Sequence, residues 1–147
     1  CEDNMTKPQL DPAAFDVDAY EDVTQAEVTI KDPVTGAPTA LVITIAGPEH
    51  PARRKIMFER QRRARRELQR TGKLPVSDPA EDEETENDVM AACTLAWRGL
   101  TRGGKAVECT PAAALALYQD PKRRWLRDQV KTAMDEREAF IRRSAAT

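Results

Sequence analysis

The sequence predicts an α+β domain, mainly helical, ordered as an N-terminal β-hairpin, a basic helix, an acidic linker and a C-terminal three-helix segment. Three observations predict it. Apolar residues alternate on both sides of Asp32-Pro33-Val34-Thr35-Gly36-Ala37-Pro38, they later recur at three- and four-residue spacing, and charge is segregated into blocks. With 147 residues, 33% of them charged and only 5% aromatic, the chain suits one domain with a modest core and polar connections. Residues 1–22 read as an acidic flexible N-terminal arm, and 23–147 as a single domain with a flexible linker at about 71–85.

The hairpin rests on Val28 and Ile30 alternating with Thr29 and Lys31, and on Leu41, Ile43 and Ile45 alternating with Val42 and Thr44. Pro33 and Gly36 suit the turn between them. Two strands alone are marginal, so they must pack on helices or pair with another copy. Gly47-Pro48 ends the hairpin, and Pro51 fits the first turn of the helix that follows. That helix carries nine Lys and Arg residues between Glu49 and Arg70. Met57, Gln61, Ala64 and Leu68 form one narrow stripe on it, expected to be its seam with the domain, and Arg54, Arg62, Arg65 and Arg66 occupy the rest of the circumference. Gly72 and Pro75 are expected to stop it.

Between Asp78 and Asp88 stand seven carboxylates and no basic residue. This run grades into a helix whose core face would hold Val89, Cys93, Ala96, Trp97 and Leu100, closed by Arg98-Gly99. Thr101–Cys109, with Gly103-Gly104, reads as a turn or short hairpin. Thr110-Pro111 opens an apolar helix to Tyr118, and Asp120-Pro121 opens the last one, over 121–143. On that helix Leu126, Val130, Ala133, Met134, Phe140 and Ile141 would share a face, with Arg137 in its middle, either reaching to water or pairing with a carboxylate of a neighbouring subunit.

No catalytic or ligand-holding pattern emerges. His50 is the only histidine and stands between turn-forming residues; Cys1, Cys93 and Cys109 have no CxxC spacing and read as small buried thiols of a reducing compartment. The acidic run lacks the ligand spacing and central Gly of an EF-hand loop, and Gly103-Gly104-Lys105 is too short for a P-loop. The expectation is therefore a non-enzyme with no catalytic residue, no cofactor and no metal. Ala40–Ala46, interrupted by Thr44, is too short to span a bilayer, no signal-peptide pattern opens the chain, and Met5 could be its natural start. The arginine helix could neutralise phosphates. A net charge of -2, the acidic run nearby and the absence of stacking aromatics among the arginines weigh against nucleic acid. A solvated face and a protein-binding face stay open. Trp97 reads as core, and Trp125, at the edge of its apolar face, as the better interface residue.

Ala96-Trp97-Arg98-Gly99-Leu100, then Gly104 and Val107-Glu108-Cys109-Thr110-Pro111, following the hairpin and the charged helix, with Glu138-Ala139-Phe140 near the end, resemble the tail assembly chaperones of long, flexible-tailed bacteriophages over about residues 23–143. The resemblance implies a non-enzymatic assembly factor in the host bacterial cytoplasm, absent from the mature virion. It implies the tape measure protein as partner, tail tube protein as a further partner, and self-association. A longer frameshifted form is common in the family, and this chain looks like the short one. Partner-binding candidates are Arg54, Arg62, Arg65, Arg66, Trp97, Leu100, Trp125, Arg137 and Phe140, with helices 86–98 and 121–143 supplying a groove. Competing expectations are a small nucleic-acid-associated phage protein using the arginine helix, and a structural head–tail completion protein.

Overall fold

The computed structural model describes residues 13–74, 76 and 78–144. Cys1, Met5, most of the expected N-terminal arm and Pro75 lie outside the described residues. Among the described residues the fold is α+β with four α-helices. Strands β2 (Gln25–Lys31) and β3 (Pro38–Ala46) form the expected hairpin, antiparallel with Val28 opposite Ile43. Asp32 builds its turn: one carboxylate oxygen accepts from the backbone N–H of Val34 at 2.8 Å and of Thr35 at 3.0 Å. These two donors, Thr35 above all, hold the Asp32 carboxyl below its ordinary pKa. Gly36 takes the left-handed φ of 74° that the turn needs. Ile30, Leu41, Ile43 and Ile45 face the core, as the alternation requires.

The sheet gains a third strand where a helix was expected. Helix α2 spans Pro79–Cys93 and stops; Thr94–Arg98 is strand β4, which pairs antiparallel with β3, Trp97 opposite Ile43. The three- and four-residue spacing of Val89, Cys93, Ala96 and Trp97 fits a helix only by coincidence after Cys93. The open edge of β3 needs a partner for its backbone groups, and a segment beginning with β-branched Thr94 supplies one. Gly99 is accordingly not a helix cap but a strand end. Its φ is 82°, and a Cβ there would meet the Ala40 carbonyl oxygen at 2.1 Å.

Helix α1 (Pro51–Thr71) is capped by the lone histidine, whose Nδ1 accepts from the Ala52 N–H at 3.1 Å, and it ends at Gly72 with a φ of 72°. Its seam is displaced from the expected stripe. Ala52, Arg53, Ile56, Ala64 and Glu67 are half-buried, whereas Met57 and Leu68 remain 40% and 41% exposed. The acidic run is not a linker over its whole length. Asp78 caps and Pro79 opens α2, so its carboxylates from Glu81 onward are helical, and Glu81 and Asp82 in the first turn sit at the favourable positive end of the helix dipole.

Beyond β4, strands β5 (Thr101–Arg102) and β6 (Lys105–Ala106) close a two-residue hairpin through Gly103 and Gly104, both at positive φ. Thr110 caps α3 (Pro111–Gln119), its hydroxyl accepting from the Ala113 N–H at 3.0 Å. Asp120 starts a 3-10 turn that runs into α4 (Arg124–Asp135). The last helix is therefore shorter than the sequence suggests. It stops at Asp135, whose carboxylate and that of Glu136 crowd the negative end of the dipole. Arg137–Phe140 form a separate 3-10 turn, and Ile141–Arg143 become strand β7.

Strand β7 pairs antiparallel with β1 (Tyr20–Asp22), so the end of the acidic arm is stitched to the C-terminal segment. Arg142 bonds Glu21 at 2.7 Å and the Val23 N–H donates to the Phe140 carbonyl at 2.7 Å. In the core α4 crosses β2 and β3, α2 packs on α3 and α1 leans on α2. Phe140, 1% exposed, plugs the core beside Gly47, under the guanidinium of Arg53 at 5.9 Å from the ring centroid.

Candidate functional site

Two surfaces carry what the candidate residues can do. The first is a groove of about 500 Å³ between the β5–β6 hairpin and the start of α4. Leu41, Leu100, Leu117 and Leu126 line it, Trp125 stands at its side with 38% of its surface exposed, and Arg102 and Arg123 are the charged residues among the described ones that line it. Each is placed by the fold. Asp120 turns the chain so that Arg123 and Trp125 face the hairpin, and the Gly103-Gly104 turn brings Arg102 around to meet them. The groove thus offers an apolar floor, an aromatic anchor and a cationic rim without a carboxylate, a surface for an apolar side chain flanked by negative charge.

Trp125 and Leu100 are the two candidates that the structure brings together. Leu41, Leu117, Arg102 and Arg123 were missed. Only the register of β3 against β4 and the return of α3 place Leu41 and Leu117 there, and no sequence spacing carries that. Trp97 is half-buried on β4, and its indole N–H donates to the Val107 carbonyl at 2.8 Å, fixing the loop behind the hairpin. It thus packs against the core from a strand rather than the expected helix, and it does not line the groove that Trp125 and Leu100 share.

Phe140 is corrected from partner-binding candidate to core plug, because the chain turns after Asp135 and folds it inward. Arg137 lies on no apolar stripe for the same reason. It is exposed and pairs at 3.6 Å with Asp22 of its own chain, which removes the need for a subunit neighbour.

The second surface is α1. Arg54 is partly engaged, pairing with Glu49 at 3.3 Å and lying 5.5 Å over the Phe58 ring. Arg62, Arg65 and Arg66 are exposed and form no ion pair with any described residue. They form no ion pair with the neighbouring acidic helix, two of whose carboxylates are held by α4 instead. Arg124 bonds Glu83 at 2.6 Å, and Arg127, 6% exposed, donates to Asn87 at 2.6 Å and Glu86 at 2.8 Å. A buried guanidinium with such partners latches α2 to α4, and losing either side would strand a charge.

The titratable side chains inside the core are structural. Thr94 donates to the Met90 carbonyl at 2.9 Å, so the Tyr118 hydroxyl must donate to Thr94, 2.6 Å away; burial pushes that phenol up to about 12. Burial raises Cys93 and, less enclosed, Cys109, so neither is primed as a thiolate, and both are free thiols. Among the described residues no group of three or more His, Cys, Asp or Glu could hold a metal ion, and no helix is long and apolar enough to cross a membrane. No family model, curated protein or solved structure matches this chain.

Proposed function

We propose that this chain is a non-enzymatic tail assembly chaperone of a long, flexible-tailed bacteriophage, which binds the tape measure protein in the host cytoplasm, keeps it soluble and helps the tail tube assemble. The observation that carries the reading is the groove beside Trp125, an apolar floor with an aromatic wall and two arginines at its edge. A helix entering such a groove buries one or two apolar side chains, each worth about 1.5–3 kcal/mol. One contact of that size binds weakly. A very long partner, contacted by many copies at successive segments, gains through multivalency what a single groove lacks. The resemblance carried by Ala96-Trp97-Arg98-Gly99-Leu100 and the hairpin supports the same reading, and it supplies the tape measure protein as the partner.

The test is co-expression with the tape measure protein, comparing wild type, Trp125→Ala and the Arg102→Glu, Arg123→Glu pair. The expected result is soluble tape measure protein with the wild type and a loss of most of it with both variants. A tape measure protein that stays equally soluble with either variant, or insoluble with the wild type, refutes the proposal. A second reading, nucleic-acid binding through α1, is favoured only by the arginines that pair with no described carboxylate. A gel shift on duplex DNA at low salt, abolished by added salt, would be its signature.

A further inference from the structure

The stripe Met57, Gln61, Ala64 and Leu68 steps by four, three and four residues, the seam spacing of a coiled coil, yet only Ala64 of the four is half-buried against its own domain. Met57 and Leu68 stay 40% and 41% exposed, and Gln61 is exposed. The positions that flank such a seam are Arg60 and Glu67 on one side and Phe58 and Arg65 on the other, and Glu67 is already bonded by Arg70 at 2.6 Å. At its N-terminal end the seam opens onto a cleft of about 230 Å³ between α1, α2 and α4. Met57, Val89, Met90 and Met134 form the apolar part of this cleft, and Arg53, Arg60 and Lys131 supply cations against Glu86 and Asp135. Methionine walls adapt to whatever apolar side chain enters.

From this arrangement we infer that α1 is a docking surface for a separate amphipathic helix with acidic flanks. Its apolar residues lie along Met57–Leu68, one of them enters the methionine cleft, and its carboxylates meet Arg60 and Arg65. Charge decides the occupant. A second copy's α1 would set Arg60 against Arg65 in a parallel pair; in an antiparallel pair with the stripes aligned Arg65 would face Phe58 and Arg60 would face Glu67, which Arg70 already holds, so a second copy offers neither arginine a free carboxylate. A second copy's α2 is acidic but has no seam to offer, because Val89, Met90, Ala91 and Cys93 are buried in its own core. Nucleic acid would use the arginines and leave Met57, Phe58 and Leu68 without a role. This surface is distinct from the groove at Trp125 and stands without the identity proposed for the partner there.

The test uses the full chain and fluorescent 21-residue designed helices read by anisotropy. The first probe has Leu at the seam positions and Glu at the flanks. The second keeps Leu and carries Lys at the flanks, the third keeps Glu and replaces Leu by Gln, and a 20-base-pair DNA duplex is the fourth. The expected result is binding of the Leu/Glu helix at least about tenfold tighter than each of the others. Met57→Glu with Leu68→Glu should lose about tenfold while the far-UV spectrum stays unchanged, and the exposed single change Arg65→Glu should weaken the Leu/Glu probe alone. No binding of that probe overturns the inference. Equal binding of the Gln/Glu helix or of the duplex also overturns it, since the surface would then be a general polyanion site. Self-association of the wild type that Leu68→Glu abolishes would assign the seam to a second copy and overturn it as well.

Discussion

Gly47 and Phe140 meet so closely that neither can be changed without the other registering it. An added Cβ at position 47 would stand 2.7 Å from the Phe140 Cδ1 and 3.0 Å from its Cγ, and the ring, 1% exposed, has no room to retreat. Gly47 is not among the glycines at positive φ, so alanine suits its backbone. Overpacking of this kind costs about 1–3 kcal/mol. Losing a glycine from the unfolded chain returns about 0.4–1 kcal/mol. Gly47→Ala alone should therefore destabilise by about 1–2 kcal/mol. Phe140→Ala alone removes a buried ring and should cost about 3–5 kcal/mol. In the double variant the new methyl group enters the space the ring has left, so Gly47→Ala should become neutral or stabilising. The cycle should close with a coupling of about 1–3 kcal/mol in the compensating direction. Urea denaturation, with m unchanged across the four proteins, is the assay. Additive costs would refute the packing argument. A Phe140→Ala variant as stable as wild type would return Phe140 to the surface, where the sequence had placed it.

Three further outcomes follow from the same geometry. Trp125→Ala, at a half-exposed position, should shift the urea midpoint far less than Phe140→Ala, and an equal loss of stability would make Trp125 core rather than an anchor. Gly99→Ala should cost several times as much as Gly36→Ala. Both sit at positive φ, but only at Gly99 would the Cβ strike a carbonyl, that of Ala40, so equal thermal shifts would count against the β3–β4 approach. For Tyr118 the sign is fixed by the raised folded-state value. The unfolded chain ionises near 10 and the folded one at about 12, so stability should fall between those pH values, by on the order of 3 kcal/mol. Tyr118→Phe should remove most of the slope above pH 10, leaving the smaller part that the raised thiols Cys93 and Cys109 contribute, and an unchanged slope would assign it to another group.

Local patterns carried much of the fold. The hairpin was legible because alternation and the Asp32–Pro38 turn agree, and the starts of α1 and α3 because Pro51 and Thr110-Pro111 are strong signals. The helix-to-strand change at Thr94 was not legible. A residue set that satisfies helical spacing as far as Leu100 says nothing of the unpaired edge of β3, which is a property of another segment. The break after Asp135 was missed for a related reason. Phe140 and Ile141 continue the helical pattern, and only the pocket beside Gly47 and the pairing of β7 with β1 draw them elsewhere.

The site divides in the same way. By itself the sequence determined the segregation of charge, the heptad-like stripe of α1, the cationic run around it and the marginal position of Trp125, because each is a periodicity within one element. Tertiary structure alone decided which stripe is buried, which carboxylates α4 takes from α2, and which leucines gather around Trp125. Those outcomes depend on contacts between segments distant in the chain, and a periodicity within one segment holds no record of what will be packed against it.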